Sequence, residues 1–375
     1  MIEINQRDQS SYQQQLDSKV DHYRSLMADV GIELPQLDIY NSAPSGFRMR
    51  AEFRIWHENG QAHYAMNKPG EKRPYIIHDF PIGSALINQL MPRILAAVNS
   101  SDTLSFKLFS MEYLTTTTDQ ALITLIYHRQ LDEQWQRVAT ELQSALNIKI
   151  IGRSRKQKVV LSDDFVTERV LVNNREYSYQ QVEASFTQPN AEVNQKMLTW
   201  ASDCLAESRG DLVELYCGNG NFTAVLAQHF NQVLATEISK VSVTSATTNF
   251  VANNIDNVTI ARLSSEEFTQ ALNRERVFRR LANVDLDSFD FSTIFVDPPR
   301  AGLDVGTEKL VTKMDNILYV SCNPNTLAEN LKQITKTHRV VKAALFDQFP
   351  WTHHIESGVY LERARSPLPT PRPQN

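Results

Sequence analysis

"DLVELYCGNGNFTAVLAQHF", residues 211 to 230, is an apolar run that breaks into a turn with glycines at 218 and 220 and resumes at helical spacing. A strand that ends in a glycine turn and opens a helix lets backbone N–H groups approach a ligand closely and aims a helix N-terminus at it. The nicotinamide fingerprint requires a third glycine three residues after the second; Thr223 stands there, which weakens a dinucleotide reading. The turn alone also fits a plain strand-to-helix corner, so the residues around it have to decide.

Downstream the pattern repeats. "QVLATE" (232–237), "NVTIARL" (257–263), "FSTIFVD" (291–297) and "NILYVSC" (316–322) are short buried-strand runs separated by helical stretches. Strands alternating with helices in this way imply βαβ units and a parallel sheet. The expected fold class is therefore α/β, a doubly wound Rossmann-like domain over residues 181–366. Upstream, Tyr12, Leu16, Val20, Tyr23, Leu26 and Met27 recur at threes and fours, predicting an amphipathic helix that ends at Gly31. From "GFRMRAEFRIWHENGQAHYAM" to "LVNNREYSY", β-branched and aromatic runs alternate with turn residues such as Asn59-Gly60, as antiparallel strands would. Residues 1–180 thus read as a helix plus a β-rich α+β domain, with the boundary near 180. The proline-rich end, 367–375, reads as a disordered tail.

Composition narrows the function. With 42% apolar and 22% charged residues and no apolar run of about 18 to 20 residues, a folded protein without a membrane span is expected. The start, "MIEINQRDQSSYQQQ", has no basic n-region followed by an apolar core, so the expected location is the cytoplasm, and the expected state a monomer. Cys204, Cys217 and Cys322 are odd in number and far apart, which excludes a disulfide framework or a zinc or iron–sulfur site built from them alone. A net charge of −5 rules out steering by a wholly basic protein, so any nucleic-acid contact must come from local patches.

Two acids sharpen the ligand. Glu237 closes the second strand of the series, where a carboxylate can accept both hydroxyls of a ribose. Asp297 closes the fourth in "FVDPPR", whose two prolines enforce a rigid extended rim. In that order these features look like an S-adenosylmethionine-dependent methyltransferase. Enzymes of that class that methylate adenine amines usually carry an aromatic after the two prolines. Arg300 stands here, which turns attention from exocyclic amines to carbon.

Pyrimidine C5 is too weak a nucleophile to take a methyl group unaided. Addition of a thiolate at C6 makes C5 enolate-like; a base must then remove the C5 proton so that β-elimination releases the thiol. Cys322 ends the fifth strand beside the Asp297 rim, and Glu356 lies in "HHIESGVYLER". Read singly, a cysteine is commonly a small core residue and a glutamate a solvated one. His353 and His354 compete with Glu356 as the base, whereas a zinc site on two adjacent histidines lacks a third ligand.

"ELYCGNGNFT" (214–223), "VDPPRAGLD" (296–304), "YVSCNPNTLAENL" (319–331) and "DQFPWTHHIESGVYLER" (347–363) resemble the bacterial RNA 5-methyluridine methyltransferases, and the resemblance covers nearly all of residues 10 to 362. It implies Cys322 as the nucleophile at C6 and Glu356 as the base at C5. Gln188 in "SFTQPN", Tyr216, Asn221, Glu237 and Asp297, with Gly218 of the turn, would hold S-adenosylmethionine. Relatives that act on 23S rRNA carry an iron–sulfur cluster on four cysteines and an added β-barrel. With three scattered cysteines and a start that goes directly into a helix, this chain is similar to the cluster-free branch acting on tRNA.

The implied substrate is the T-loop uridine of the tRNA T-arm, with other RNAs that mimic a T-loop as secondary substrates. Arg48, Arg50 and Arg54 share a strand parity with Glu52 between them, and Arg153 and Arg155 sit in the basic stretch "GRSRKQK", so both patches are candidates for phosphate contact. Phe109 and His128 are candidates for stacking on splayed bases, and Arg300 for the flipped uridine or its phosphate. Alternatives are a cluster-free rRNA uridine C5-methyltransferase, or an RNA-binding or tRNA-folding chaperone with a vestigial methyl site.

Overall fold

The computed structural model describes residues 9–67, 70 and 73–364. The strands read from the second half of the chain lie side by side in an eight-stranded sheet. Its order is Leu37–Tyr40, His338–Phe346, Glu356–Arg363, Asn316–Ser321, Phe291–Val296, Asp211–Leu215, Val233–Thr236, Val258–Ala261. Every pairing is parallel except those of Glu356–Arg363, which runs antiparallel to both neighbours. Asp211–Leu215 and Val233–Thr236 are buried at every position, as central strands covered on both faces must be. The expected doubly wound α/β fold is present.

The chain divides into two compact units, and the division differs from a single boundary near residue 180. One unit holds the chain up to Ser42, Leu171–Tyr177 and everything from Glu192; the other holds Ala43–Val170 and Ser178–Ala191. The N-terminal helix, Gln9–Asp29, and the strand Leu37–Tyr40 therefore belong with the Rossmann-like sheet. The strand pairs in register with Ala343–Phe346 at the sheet edge, and Lys19 of the helix is ion-paired to Asp347, 328 residues away. Such long-range partners leave no mark on local periodicity.

The second unit is built on a seven-stranded sheet in the order Tyr75–Ile76, Gln61–Met66, Arg50–Glu58, Leu108–Thr115, Ala121–Tyr127, Lys149–Ser154, Gln157–Val160. Helices Ala85–Asn99 and Glu133–Leu146 bury Ile87, Met91, Ile94, Trp135 and Ala139 in its core together with Phe53, Tyr64 and Tyr113. The expected antiparallel pattern has one exception: Ala121–Tyr127 and Lys149–Ser154 are parallel, because the helix between them carries the chain back across the sheet. Gly152 lets that helix sit close, since a Cβ there would come within 2.3 Å of the Trp135 ring. The 367–375 tail lies outside the described residues. Among the described residues no helix is long and apolar enough to cross a membrane.

Candidate active site

The turn after Asp211–Leu215 is unusually bent. Tyr216, Gly218 and Gly220 have φ of 63°, 58° and 78°, three left-handed residues within five. At Gly218 a Cβ would meet nothing, so its backbone angle alone calls for glycine; at Gly220 a Cβ would also come within 2.6 Å of the Phe250 ring. Tyr216 pays a steric cost of about 1 to 3 kcal/mol for a non-glycine residue in this region. It is held there by a hydroxyl donating to Ser265 Oγ at 2.7 Å. The Asn219 carbonyl accepts from Asn249 Nδ2 at 2.9 Å, and the Asn221 amide exchanges hydrogen bonds of 2.8 and 3.2 Å with Asn194 on helix Ala191–Cys204. Asn194 is a partner of this turn that sequence reading missed.

Glu237 ends Val233–Thr236 and faces this turn. Its Oε2 accepts from Gly218 N at 3.0 Å and its Oε1 from Ser239 N at 2.7 Å, which fixes the carboxylate at the mouth of a cleft of about 410 Å³. Tyr216, Ser265, Pro299, Gly302 and Asp304 line the same cleft. Across it the Asp297-Pro298-Pro299 rim is bolted down through Asn330, whose Oδ1 accepts from Leu303 N at 3.0 Å and from the Tyr319 hydroxyl at 2.9 Å. Gly302, with φ 75°, admits this amide; a Cβ would lie 2.8 Å from Asn330 Oδ1.

Strand register brings the two chemical candidates together. Val296 is level with Tyr319 in the parallel pair, so Asp297 follows level with Val320. In the antiparallel pair Ser321 faces Ser357, so the next positions outward are Cys322 and Glu356. Directly opposed residues share a sheet face with Cβ atoms roughly 4.5 to 5.5 Å apart. By alternation Asp297 points to that face too. Read singly, Glu356 would be a solvated side chain; it is instead the first residue of its strand and only 4% exposed.

The electrostatics follow from this crowding. Burial, then the charges of Glu356 and Asp297, push the Cys322 thiol up to about 11, against which Arg300 acts. Burial, then Asp297, holds the Glu356 carboxyl well above the usual carboxylate range, again opposed by Arg300. Asp297 itself is raised to about 7 by burial. Two neighbouring carboxyls with little solvent cannot both ionise freely, so each holds the other's pKa up. His354 is shifted down by burial, Arg300 and His353.

A further carboxyl went unnoticed in the sequence. Glu214 lies inside the central strand, 1% exposed, with no hydrogen-bond partner for Oε2 among the described residues. Burial raises it to about 8. The one legible signal was an acid inside the apolar run "LVELYC". A raised folded-state pKa favours the folded protein at low pH, an advantage lost as pH climbs from the unfolded value near 4.3 through about 8. Glu214→Gln should therefore melt above wild type by a margin that widens from pH 5 to 8 and then levels. A constant margin across that range in calorimetry would show that Glu214 is ionised throughout.

The other candidates, Arg300 on the rim aside, fall in the second unit. Gln188 is half-buried and precedes Pro189, whose carbonyl accepts from Met49 N at 2.8 Å. Three of the arginines considered for RNA contact are engaged by the chain itself. Arg48 Nε donates to the Arg50 carbonyl at 2.9 Å, Arg50 donates to the carbonyls of Ser185 and Glu183 at 2.7 and 2.8 Å, and Arg153 is bidentate on Glu183 at 2.5 and 2.6 Å. Their partners lie up to 135 residues away, beyond any strand-parity rule. Arg54 differs: its guanidinium lies 5.5 Å over the Phe109 ring, and Phe109 stacks on His128 at 4.3 Å and 21°. Arg155 is exposed in the turn beside Lys156, and Arg300 is exposed on the rim.

A doubly wound sheet with a left-handed glycine turn, an acid at the second strand end and an Asp-Pro-Pro rim defines an S-adenosylmethionine-dependent methyltransferase. Residues 11–364 match the tRNA (Uracil-5-)-methyltransferase family, and the chain belongs to it. It is 57% identical over 94% of its length to the tRNA/tmRNA (uracil-C(5))-methyltransferase of Teredinibacter turnerae, covering 97% of that protein. It is 54% identical over 94% of its length to the protein of the same name from Cellvibrio japonicus, covering 96% of it. The crystal structure of Pyrococcus abyssi tRNA (uracil-54, C5)-methyltransferase with S-adenosyl-L-homocysteine shares the fold, with a TM-score of 0.67 at 22% identity, over 93% of this chain and 83% of that one. Among the described residues no cluster of three or more histidine, cysteine, aspartate or glutamate side chains could hold a metal.

The cofactor of the family fits the residues present: an acid whose two oxygens already sit at a strand end, a glycine turn open to close backbone approach, and a cleft of about 410 Å³ between them. Gly220→Ala should weaken S-adenosylmethionine binding by roughly tenfold or more, since the turn must open and Phe250 must move. Calorimetric titration checks this, and unchanged affinity would mean that the turn does not contact the ligand.

Proposed function

We propose that this protein methylates C5 of the T-loop uridine of tRNA, forming 5-methyluridine, with Cys322 as nucleophile and Glu356 as base. The observation that carries this reading is the opposition of Cys322 and Glu356 across two strands at the open end of the sheet, beside Asp297. Cys322 adds to C6 of the uracil as the thiolate, its proton having gone to solvent, and the electron pair of the C5–C6 double bond is delocalised over C5 and O4. S-adenosylmethionine, held by Gln188, Tyr216, Gly218, Asn221, Glu237 and Asp297, supplies the methyl group for C5. Glu356, as carboxylate, takes the C5 proton; the C–H pair restores the double bond and the C6–S pair departs on sulfur. A buried carboxyl with a raised pKa is a stronger base once ionised, which suits it to a carbon acid.

The substrate reading draws on the family and on relatives whose names specify tRNA and tmRNA, so a T-loop mimic in tmRNA is included. Arg54, Phe109 and His128 form a cationic and aromatic stack suited to bases splayed from a loop, with Arg155 and Arg300 suited to phosphate. Arg48, Arg50 and Arg153 then support that surface through their bonds to the chain. The division into a Rossmann-like unit for methyl transfer and a β-rich unit for RNA recognition, in a monomer, belongs to the same reading.

The test is to incubate the protein with S-adenosylmethionine and unmodified tRNA transcript, digest the RNA, and locate the modified nucleoside by mass spectrometry. T-loop 5-methyluridine is expected. The same nucleoside only in rRNA would keep the chemistry and overturn the substrate; no methylated pyrimidine in either would overturn both.

A further inference from the structure

We propose that Lys19 is a positioning residue for the elimination half of the reaction, acting through the segment that delivers Glu356; this rests on the reading of Glu356 as the base. One face of the N-terminal helix, at Tyr12, Gln15, Lys19 and Tyr23, follows the turn spacing of a helix and meets the segment 347–357 at every turn. Lys19 Nζ donates to Asp347 Oδ1 at 2.6 Å and to the Phe349 carbonyl at 3.0 Å. Gln15 Oε1 accepts from Trp351 N at 2.7 Å, the Tyr12 ring meets the Trp351 ring edge-on at 5.9 Å, and the Tyr23 hydroxyl lies beside Ser357.

Two features make this more than packing. Lys19 and Asp347 are 5% and 0% exposed, so the pair has given up its hydration. Buried ion pairs are poor stabilisers compared with apolar residues of the same shape, and their best-attested use is to select one arrangement. The segment they select is strained: Trp351, a bulky aromatic, has φ 65°, five residues before Glu356. Without the lysine the Asp347 carboxyl, whose Oδ2 already has no hydrogen-bond partner among the described residues, would be left buried without its cationic partner. The loop then has reason to rearrange, and Glu356 shifts with it. Cys322 follows a different strand, Asn316–Ser321, and none of the hydrogen bonds named for the helix face ends on it, so addition at C6 and methyl uptake are spared.

The experiment uses the full chain with tRNA transcript and S-adenosylmethionine in single turnover, following methylated base and, on denaturing gels, covalent protein–RNA adduct. Lys19→Met is expected to form adduct at a rate within about threefold of wild type and to resolve it roughly 10- to 100-fold more slowly. Asp347→Asn, which keeps the shape but weakens the clamp, should slow resolution in the same direction. Glu356→Gln serves as the reference for a stalled elimination. If Glu356→Gln accumulates adduct while both clamp variants resolve it at the wild-type rate, the Lys19 inference is overturned and Glu356 stands. If adduct formation and melting temperature fall together in both variants, the pair is only structural. If Glu356→Gln itself accumulates nothing, the base assignment fails first and the inference falls with it.

Discussion

Cys322→Ala is expected to lose 5-methyluridine formation by at least about 10⁴-fold, the scale on which removal of a covalent nucleophile acts. RNA retention on filters and S-adenosylmethionine affinity should stay within about threefold, because neither depends on the thiol. Cys204 and Cys217 are buried and cannot substitute for it. The chemistry predicts a second signature. With the thiol pushed up to about 11 in the free protein, alkylation of Cys322 should accelerate about tenfold per pH unit from 7 to 9. Turnover by Cys322→Ala within tenfold of wild type would end the covalent mechanism.

Glu356→Gln is expected to slow turnover by roughly 10²- to 10⁴-fold while covalent protein–RNA adduct accumulates, since methyl uptake proceeds and proton removal does not. The pH dependence has a definite sign. Burial and Asp297 raise the Glu356 pKa, so the carboxylate needed for elimination grows with pH, and wild-type adduct resolution should quicken as the pH is raised above neutrality. In the glutamine variant that slope should vanish. A variant that resolves adduct with the wild-type slope would shift the role to His354, whose lowered pKa leaves its ring neutral and able to accept a proton.

Much of the methyl-transfer half was legible because its markers are local. Gly218 and Gly220 announce a turn that only glycine enters readily; Asp297-Pro298-Pro299 announces an extended rim, and each apolar run of four to seven residues between helical stretches became a strand of the sheet. Cys322 stood out by its position at a strand end. The arginines show the opposite case. Alternation correctly put Arg50 and Arg54 on one strand face, yet Arg50 and Arg153 turned out to be engaged by the segment around Glu183, while Arg54 lies over Phe109. Identical residue types took different roles through partners distant in sequence.

The sequence by itself determined the α/β class, the strand-to-helix corner that forms the cleft, and the small set of acids and the thiol able to do chemistry there. Those are properties of short segments, governed by backbone sterics and by hydrophobic period. Only the tertiary structure decided that Glu356 is buried opposite Cys322, that Glu214 is a carboxyl enclosed in the central strand, and that the N-terminal helix grips the segment leading to Glu356. Each depends on pairing across strands or packing between distant elements. Burial and neighbouring charge, which set a pKa, exist only once those elements have come together.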